Sequence, residues 1–341
     1  MPVSSLLPRL DAIATQCASG FPLYSLADSD EWLVSKGGSW MGGFWTGCWW
    51  LRAHLTQSTA DYEKAVALCA KLGDKIQLDS SYRSLIFWYG AALGDVWFQH
   101  DMARHIAMES ATALANSYDS HQRCIPLGTA LGAGATGQQI ITVDGLASLI
   151  ALLSYSGNSE HETIARQHTN TLIDACFTKT GAFHAEAHFS DGYFHRTDKA
   201  GDWSRGQAWA MLGLTQAARQ WGEPYLSMAK SACDYWRSSR PELLPLNRLS
   251  ETTGLHDPSA TVIASLALLS LADLLPDSEQ WRNLARRQLN ALIQGKYFNN
   301  GRFTGCCYKI SPQQITNVES AWGLFLLLLA FSQLNGLSPT V

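Results

Sequence analysis

The chain has 341 residues, 46% of them hydrophobic and only 16% charged, with 25 Lys and Arg against 29 Asp and Glu and a formal net charge of −4. A charged share this far below the usual quarter of residues excludes intrinsic disorder, because so many aliphatic and aromatic side chains can offset the ordering entropy by burial. The mildly acidic balance, with no Lys/Arg block, excludes a nucleic-acid or anionic-membrane surface.

In chain order, the opening Met1-Pro2-Val3-Ser4-Ser5-Leu6-Leu7-Pro8-Arg9 reaches charge too soon for a signal peptide. The longest apolar run, 324–331, is short of the roughly 20 residues of a membrane span. A cytoplasmic protein is therefore expected. From there the apolar spacing is helical almost throughout, and two kinds of segment alternate. Segments 6–18, 62–76, 102–118, 161–177, 224–239 and 279–295 carry charge on one face, whereas 44–55, 85–98, 144–155, 203–218, 259–275 and 320–334 are nearly uncharged and rich in small and aromatic residues. A helix apolar all round must be buried, while a striped one needs only one covered face. The second set is thus expected as an inner ring and the first as an outer ring.

Links from inner to outer segments are short (57–60, 156–160, 221–223, 276–278), and the returns are longer and bear glycines and aromatics. A repeat of about 55 to 60 residues without a linker suggests helical hairpins closing on themselves. The expected fold is all-α, one (α/α)6 barrel of six inner and six outer helices in a single domain, 1–341. The long returns all enter inner-helix N-termini, so one rim gathers loop side chains and positive dipole ends, and a pocket for an anionic ligand belongs there. Eight cysteines occur singly or as the pair Cys306-Cys307 with no CxxC, which reads as buried free thiols.

At that rim, Trp40 and Phe44 stand beside Gly42 and Gly43 as candidate flat walls for a sugar ring, whereas Trp45, Trp49 and Trp50 read as core. Asp144, between apolar residues at a helix start, reads equally as a structural N-cap or as a carboxyl group held in a dry cup. Arg205 and Trp209, four apart, share a helix face. They suit either carboxylate binding with sugar stacking or a buried Arg stacked on Trp. Gly132-Ala133-Gly134-Ala135-Thr136-Gly137 matches GxGxxG, but without a preceding strand it reads as a rim loop. His184-Ala185-Glu186-Ala187-His188 offers spaced nitrogens and an acid but is not HExxH, and it reads as a loop or short hairpin without metal. No cofactor is expected.

Several of these landmarks together resemble the unsaturated glucuronyl hydrolases, glycoside hydrolase family 88. They are the segment 40–50, Val143-Asp144, Trp203-Ser204-Arg205-Gly206-Gln207-Ala208-Trp209, Asp257-Pro258-Ser259-Ala260 and Val318-Glu319-Ser320-Ala321-Trp322-Gly323. The resemblance implies hydration of the C4=C5 double bond of the unsaturated uronic acid that polysaccharide lyases leave at a non-reducing end. It places the acid/base aspartate at Asp144, pocket aromatics at Trp40 and Phe44, the substrate-contacting Arg and Trp at Arg205 and Trp209, and a pocket histidine at His184. The family's second Asp, in His-Asp-x-Gly-Phe, has no counterpart, because the stretch reads Arg83-Ser84-Leu85-Ile86-Phe87. Arg83, Ser84 and Phe87 take those positions as candidate substrate contacts. The loop before Trp203 is shorter than the family's, and His195 is the candidate for its Gln contact.

The implied partner is an unsaturated oligosaccharide, with no nucleic acid or membrane, acted on by a monomer or homodimer. Two other readings use the same barrel. One is an inverting glycosidase using Asp144 with Asp202 or Glu186, whose carboxyls would stand about 6.5 to 9.5 Å apart. The other is a carbohydrate-binding barrel whose chemistry lapsed with Ser84.

Overall fold

The computed structural model describes residues 2–337. Its inner ring consists of Gly42–Thr56, the helical stretch 83–98, Leu146–Tyr155, Ser204–Trp221, Pro258–Leu274 and Ala321–Leu334. Each of these packs against the next, and the sixth packs back on the first, so the ring closes. The outer helices are Pro2–Gln16, Thr59–Ala70, Asp101–Ala115, Ser159–Cys176, Tyr225–Ser239 and Glu279–Gln294. The expected double ring is therefore present, with the sequence's uncharged segments inside: of the fifth inner helix, Pro258 through Ala272 are all buried.

Close approach explains the small residues of the inner set. A Cβ on Gly43 would lie 2.4 Å from the backbone of Ile86, so the first two inner helices touch main chain to main chain. The second inner helix is not continuous. It widens into a π-turn over Trp88–Ala92, where the Gly90 carbonyl accepts a hydrogen bond from Trp50 Nε1 at 2.9 Å. A π-bulge loosens the regular ladder and lets a carbonyl serve another element. Trp45, Trp49 and Trp50 are all core, as their helix phase implies.

At one end, short links turn each of the first five inner helices into the next outer helix. Ser58, His100 and Asn158 there cap the second to fourth outer helices through side-chain acceptors. At the other end the long returns fold into strands that the helical reading did not contain. β1 (Phe21–Leu26) and β2 (Trp32–Ser35) join β8 (Cys306–Ser311) and β9 (Gln314–Ser320) in an antiparallel sheet of order β2-β1-β9-β8. β3 (Ile140–Thr142), β4 (Glu186–Ser190) and β5 (Tyr193–Arg196) form a second sheet, and β6 (Phe298–Asn299) with β7 (Arg302–Phe303) a third. The 184–188 segment thus enters a short hairpin, one of its two expected forms. The GxGxxG stretch ends in a 3-10 turn, Ala135–Gln139, without a strand before it. All eight cysteines are buried and unpaired.

The first and last elements are tied by a buried carboxylate. Glu319, wholly inaccessible, accepts from Arg9 Nε at 2.8 Å and Nη2 at 2.5 Å, and Arg302 Nε lies 3.3 Å away. Removing one partner of a buried ion pair leaves an uncompensated charge and costs about 3–5 kcal/mol. Glu319→Gln is therefore expected to lower unfolding free energy by about that amount in urea titrations, with Arg9→Met somewhat milder because Arg302 still faces the carboxylate.

Candidate active site

The rim that carries the sheets opens into a cavity of about 200 Å³, lined by Trp40, Tyr82, Leu85, Asp144, Arg205, Trp209, Tyr308 and Trp322. That is below the roughly 300–1,000 Å³ of typical ligand pockets, the scale of one sugar ring rather than a chain. Its walls are mostly aromatic. Trp40, in the 3-10 turn Ser39–Met41 before the first inner helix, has its ring centroid 6.3 Å from both Tyr82 and Trp322.

Asp144 follows β3 and precedes the third inner helix, which begins at Leu146 rather than at Asp144. Gly145 holds the N-cap position at φ +80°, where glycine avoids a Cβ penalty. Asp144 therefore does not cap the helix. Its Oδ1 is buried without a protein partner. Burial above all pushes its pKa up to about 6; Arg205 opposes that rise and Glu186 adds to it.

Arg205, on the fourth inner helix, donates from Nη1 to Asp257 Oδ2 at 2.6 Å and to the Cys307 carbonyl at 2.6 Å. Its guanidinium carbon lies 5.1 Å from the Trp203 ring centre and 5.2 Å from that of Trp322. Asp257 is fully buried and is further held by Ser259 Oγ and the Cys307 N–H. With Nη1 so occupied, Nε and Nη2 are the donors left for a ligand. The guanidinium thus stacks on Trp203 and Trp322 rather than on Trp209, and Arg205 and Trp209 both line the cavity.

No family model matches the chain. Among curated proteins, the unsaturated glucuronyl hydrolase of Bacillus sp. (strain GL1) is 23% identical over 291 residues, covering 78% of this chain and 77% of that protein. The unsaturated chondroitin disaccharide hydrolase of Streptococcus agalactiae serotype III is 22% identical over 316 residues, covering 83% and 74%. The crystal structure of the Bacillus sp. GL1 unsaturated glucuronyl hydrolase superposes with a TM-score of 0.88 at 20% identity, over 98% of this chain and 96% of that one. That of an unsaturated glucuronyl hydrolase specific for heparin gives 0.88 at 15% identity, over 98% and 96%. The chain is similar to the unsaturated glucuronyl hydrolases. The structural likenesses show the (α/α)6 barrel.

Of the residues that the glucuronyl hydrolase resemblance implied, the structure brings Trp40, Asp144, Arg205 and Trp209 to one cavity. It corrects the others. Phe44 is fully buried one helical turn below Trp40, stacked 4.8 Å from Tyr89, and does not reach the cavity. Phe87 is equally buried in the second inner helix. The Arg83 guanidinium points into the protein, donating to the carbonyls of Ser80 and Ile76 and to Ser117 Oγ. Ser84 lies beneath the Asp144 loop rather than in the cavity: its hydroxyl donates to the Gly145 carbonyl at 3.4 Å, and its Oγ lies 3.0 Å from that of Ser148.

His184 is spent on Asp198, 2.9 Å from Oδ1, and does not line the cavity. His195 sits on β5 against Tyr193, with Nε2 3.3 Å from the Ser190 carbonyl. Asp202, offered as a glycosidase partner, is held by Arg248 and the Ser250 N–H. Those hydrogen bonds keep its pKa low despite burial, so it stands outside the cavity as a structural anion. The histidine at 188 pairs with Glu186, Nε2 to Oε1 3.0 Å. Among the described residues no group of three or more His, Cys, Asp or Glu side chains is arranged to hold a metal, and no helix is long and apolar enough to cross a membrane.

Tyr82, Leu85, Tyr308 and Trp322 line the cavity without having been singled out as site residues. Trp322 lies in the Ser320-Ala321-Trp322-Gly323 landmark, which was a usable signal. Tyr308 comes from the β8 hairpin, whose position no local pattern announces.

Asp144's raised pKa is also a stability statement. The folded state holds this proton more tightly than the unfolded chain, so the favourable contribution is full below about pH 4 and is lost as pH rises through about 6. At pH 8 the ionised carboxylate opposes folding. Asp144→Asn is thus expected to stabilise the protein at pH 8 by on the order of 1–3 kcal/mol and to be nearly neutral at pH 4, as read from urea unfolding at both values.

Proposed function

We propose that the chain hydrates the C4=C5 vinyl ether of an unsaturated uronic acid at the non-reducing end of an oligosaccharide, with Asp144 as acid and base. The observation that carries this reading is a carboxyl group with an unpartnered oxygen, its pKa raised to about 6, in a one-ring aromatic cavity beside Arg205. The named activities of the curated relatives point the same way.

In this reading Trp40 and Trp209 flank the ring, and the free Arg205 donors take the uronate carboxylate, a charge-assisted pairing. Protonated Asp144 delivers its proton to C4, and the positive charge that develops is shared between C5 and the ring oxygen. Water adds at C5 while the Asp144 carboxylate takes one of its protons, regenerating the acid. The C5 hemiketal then opens by breaking its bond to the ring oxygen, leaving a ketone at C5 and a hemiacetal at C1 that releases the next sugar. One carboxyl group suffices, because the proton it gives and the proton it receives belong to successive steps. Proton transfer by a positioned acid contributes about 10² to 10⁴ in rate. A cytoplasmic monomer or homodimer belongs to the same proposal.

The test uses lyase-generated unsaturated disaccharides beside their saturated counterparts, followed by loss of alkene absorbance and by sugar release. Turnover of the unsaturated substrates alone is expected, with deuterium at C4 of the product in heavy water. Asp144→Asn should lower kcat by at least about 10² while leaving the fold and substrate binding intact. Cleavage of saturated glycans, product without C4 deuterium, or a fully active Asp144→Asn would overturn the reading. Binding without turnover of either class would point to the lapsed barrel.

A further inference from the structure

The start of the second inner helix brings no carboxylate to the cavity, since position 84 is a serine folded beneath the Asp144 loop. What this stretch does contribute to the wall is Leu85 and the phenol of Tyr82. Tyr82 stands on a fixed base. Its N–H donates to Ser80 Oγ at 3.2 Å, and its carbonyl accepts from the Ile86 N–H at 3.2 Å. On one side of it the Ser81 N–H donates to the Leu127 carbonyl at 3.0 Å; on the other, the buried Arg83 is pinned by the carbonyls of Ile76 and Ser80 and by Ser117 Oγ. Arg83 thus anchors the residue whose ring faces the cavity. That ring packs 6.3 Å from Trp40, and its hydroxyl has no protein partner among the described residues.

A C4=C5-unsaturated uronic acid ring presents a carboxylate at C5 and hydroxyls at C2 and C3. Polar groups taken out of water must find hydrogen-bond partners or cost free energy, and this wall is mostly aromatic. Arg205 has two donors left for the carboxylate, and Asp144 is engaged at C4. The hydroxyl-bearing side chains that remain on the wall are Tyr82 and Tyr308. We infer that Tyr82 is a substrate-binding residue whose hydroxyl holds one of the two ring hydroxyls, and that this phenol is the polar contact the start of the second inner helix offers the sugar. A phenol both donates and accepts, so it matches a hydroxyl in either sense. Burial raises its pKa well above the usual value, with Asp144 and Glu186 adding to the rise and Arg205 opposing it, so the contact stays neutral. A neutral group also spares the uronate a like-charge neighbour, which would weaken binding. The identity of the ring rests on the hydration reading.

The test is Tyr82→Phe, which keeps the ring against Trp40 and removes only the hydroxyl. Parent and variant are compared in the Asp144→Asn background, so that calorimetry reads binding without turnover. The ligands are an unsaturated disaccharide and its counterparts lacking the C2 or the C3 hydroxyl of the uronic ring. Tyr82→Phe is expected to raise Kd about three- to tenfold for the full disaccharide, the worth of one neutral hydrogen bond. The same loss should appear with one deoxy ligand and vanish with the other, whose missing hydroxyl is the partner. With Asp144 intact, kcat/KM on the full disaccharide should fall by the same factor. A loss equal for all three ligands, as a packing defect or a carboxylate contact would give, overturns the inference, and so does no loss for any of them. The expected pattern in a protein that turns over no unsaturated substrate would uphold the inference and defeat the hydration reading. Failure of both proteins to bind any unsaturated disaccharide would defeat the two together.

Discussion

The site depends on a single cation whose first allegiance is already fixed. Arg205 is locked at Nη1 by Asp257 and by the Cys307 carbonyl, which ties the fourth inner helix to the entry of the fifth and to β8. Buried charge is tolerated only when paired and hydrogen-bonded, and Asp257 meets that need through Arg205, Ser259 and the Cys307 N–H together. The carboxylate that neutralises Arg205 is therefore Asp257, and Asp144 experiences the cation only at a distance. Burial raises the pKa of both aspartates, but their partners differ: Asp257 is claimed by Arg205, Ser259 and the Cys307 N–H, whereas Asp144 keeps an oxygen without a protein partner.

The small sheets at the rim serve that arrangement. Helices alone would leave the approach to Asp144 as unsupported loop. Instead, β3 fixes it against β4, and Ser84 and Ser148 grip the Gly145 carbonyl just behind it. A glycine at positive φ then turns the chain into the third inner helix. The carboxyl group thus stands on backbone held from two sides, the condition under which an unsatisfied polar atom can persist in a native structure.

Much of the barrel was legible because burial writes itself into composition: a helix covered on every side cannot carry charge, and the alternation of the two segment types survives any change of loop. Asp144, Arg205 and Trp209 were legible because Asp144 stands just before an inner helix, Arg205 in the first turn of the next, and Trp209 one turn further on the same face as Arg205. Phe44 was misjudged by one helical turn. Trp40 belongs to the 3-10 turn above the helix and Phe44 to the helix proper, so the two share a neighbourhood but not a depth. Arg83 was misjudged in direction, since nothing in a sequence announces the carbonyls of Ile76 and Ser80 that claim it. Tyr308 and the pairing of β3 with β4 escaped for a different reason. Both depend on strand pairings between distant segments, and short strands of two to seven residues leave little periodicity to read.

Ring closure also bears on how the protein comes to be. Tyr24 pairs with Ser320 and Ser25 with Glu319 across β1 and β9, and Arg9 reaches the same Glu319. These contacts join residues separated by about nine-tenths of the chain, and such non-local pairings are slow to form because a long loop must close before they repay it. During vectorial synthesis Arg9 has no partner carboxylate, and the apolar flanks of the first and fifth inner helices have no neighbour, until the last seam emerges from the ribosome. The nascent barrel is therefore an open arc until its last helix emerges, with apolar edges of the kind that make incomplete chains prone to aggregation.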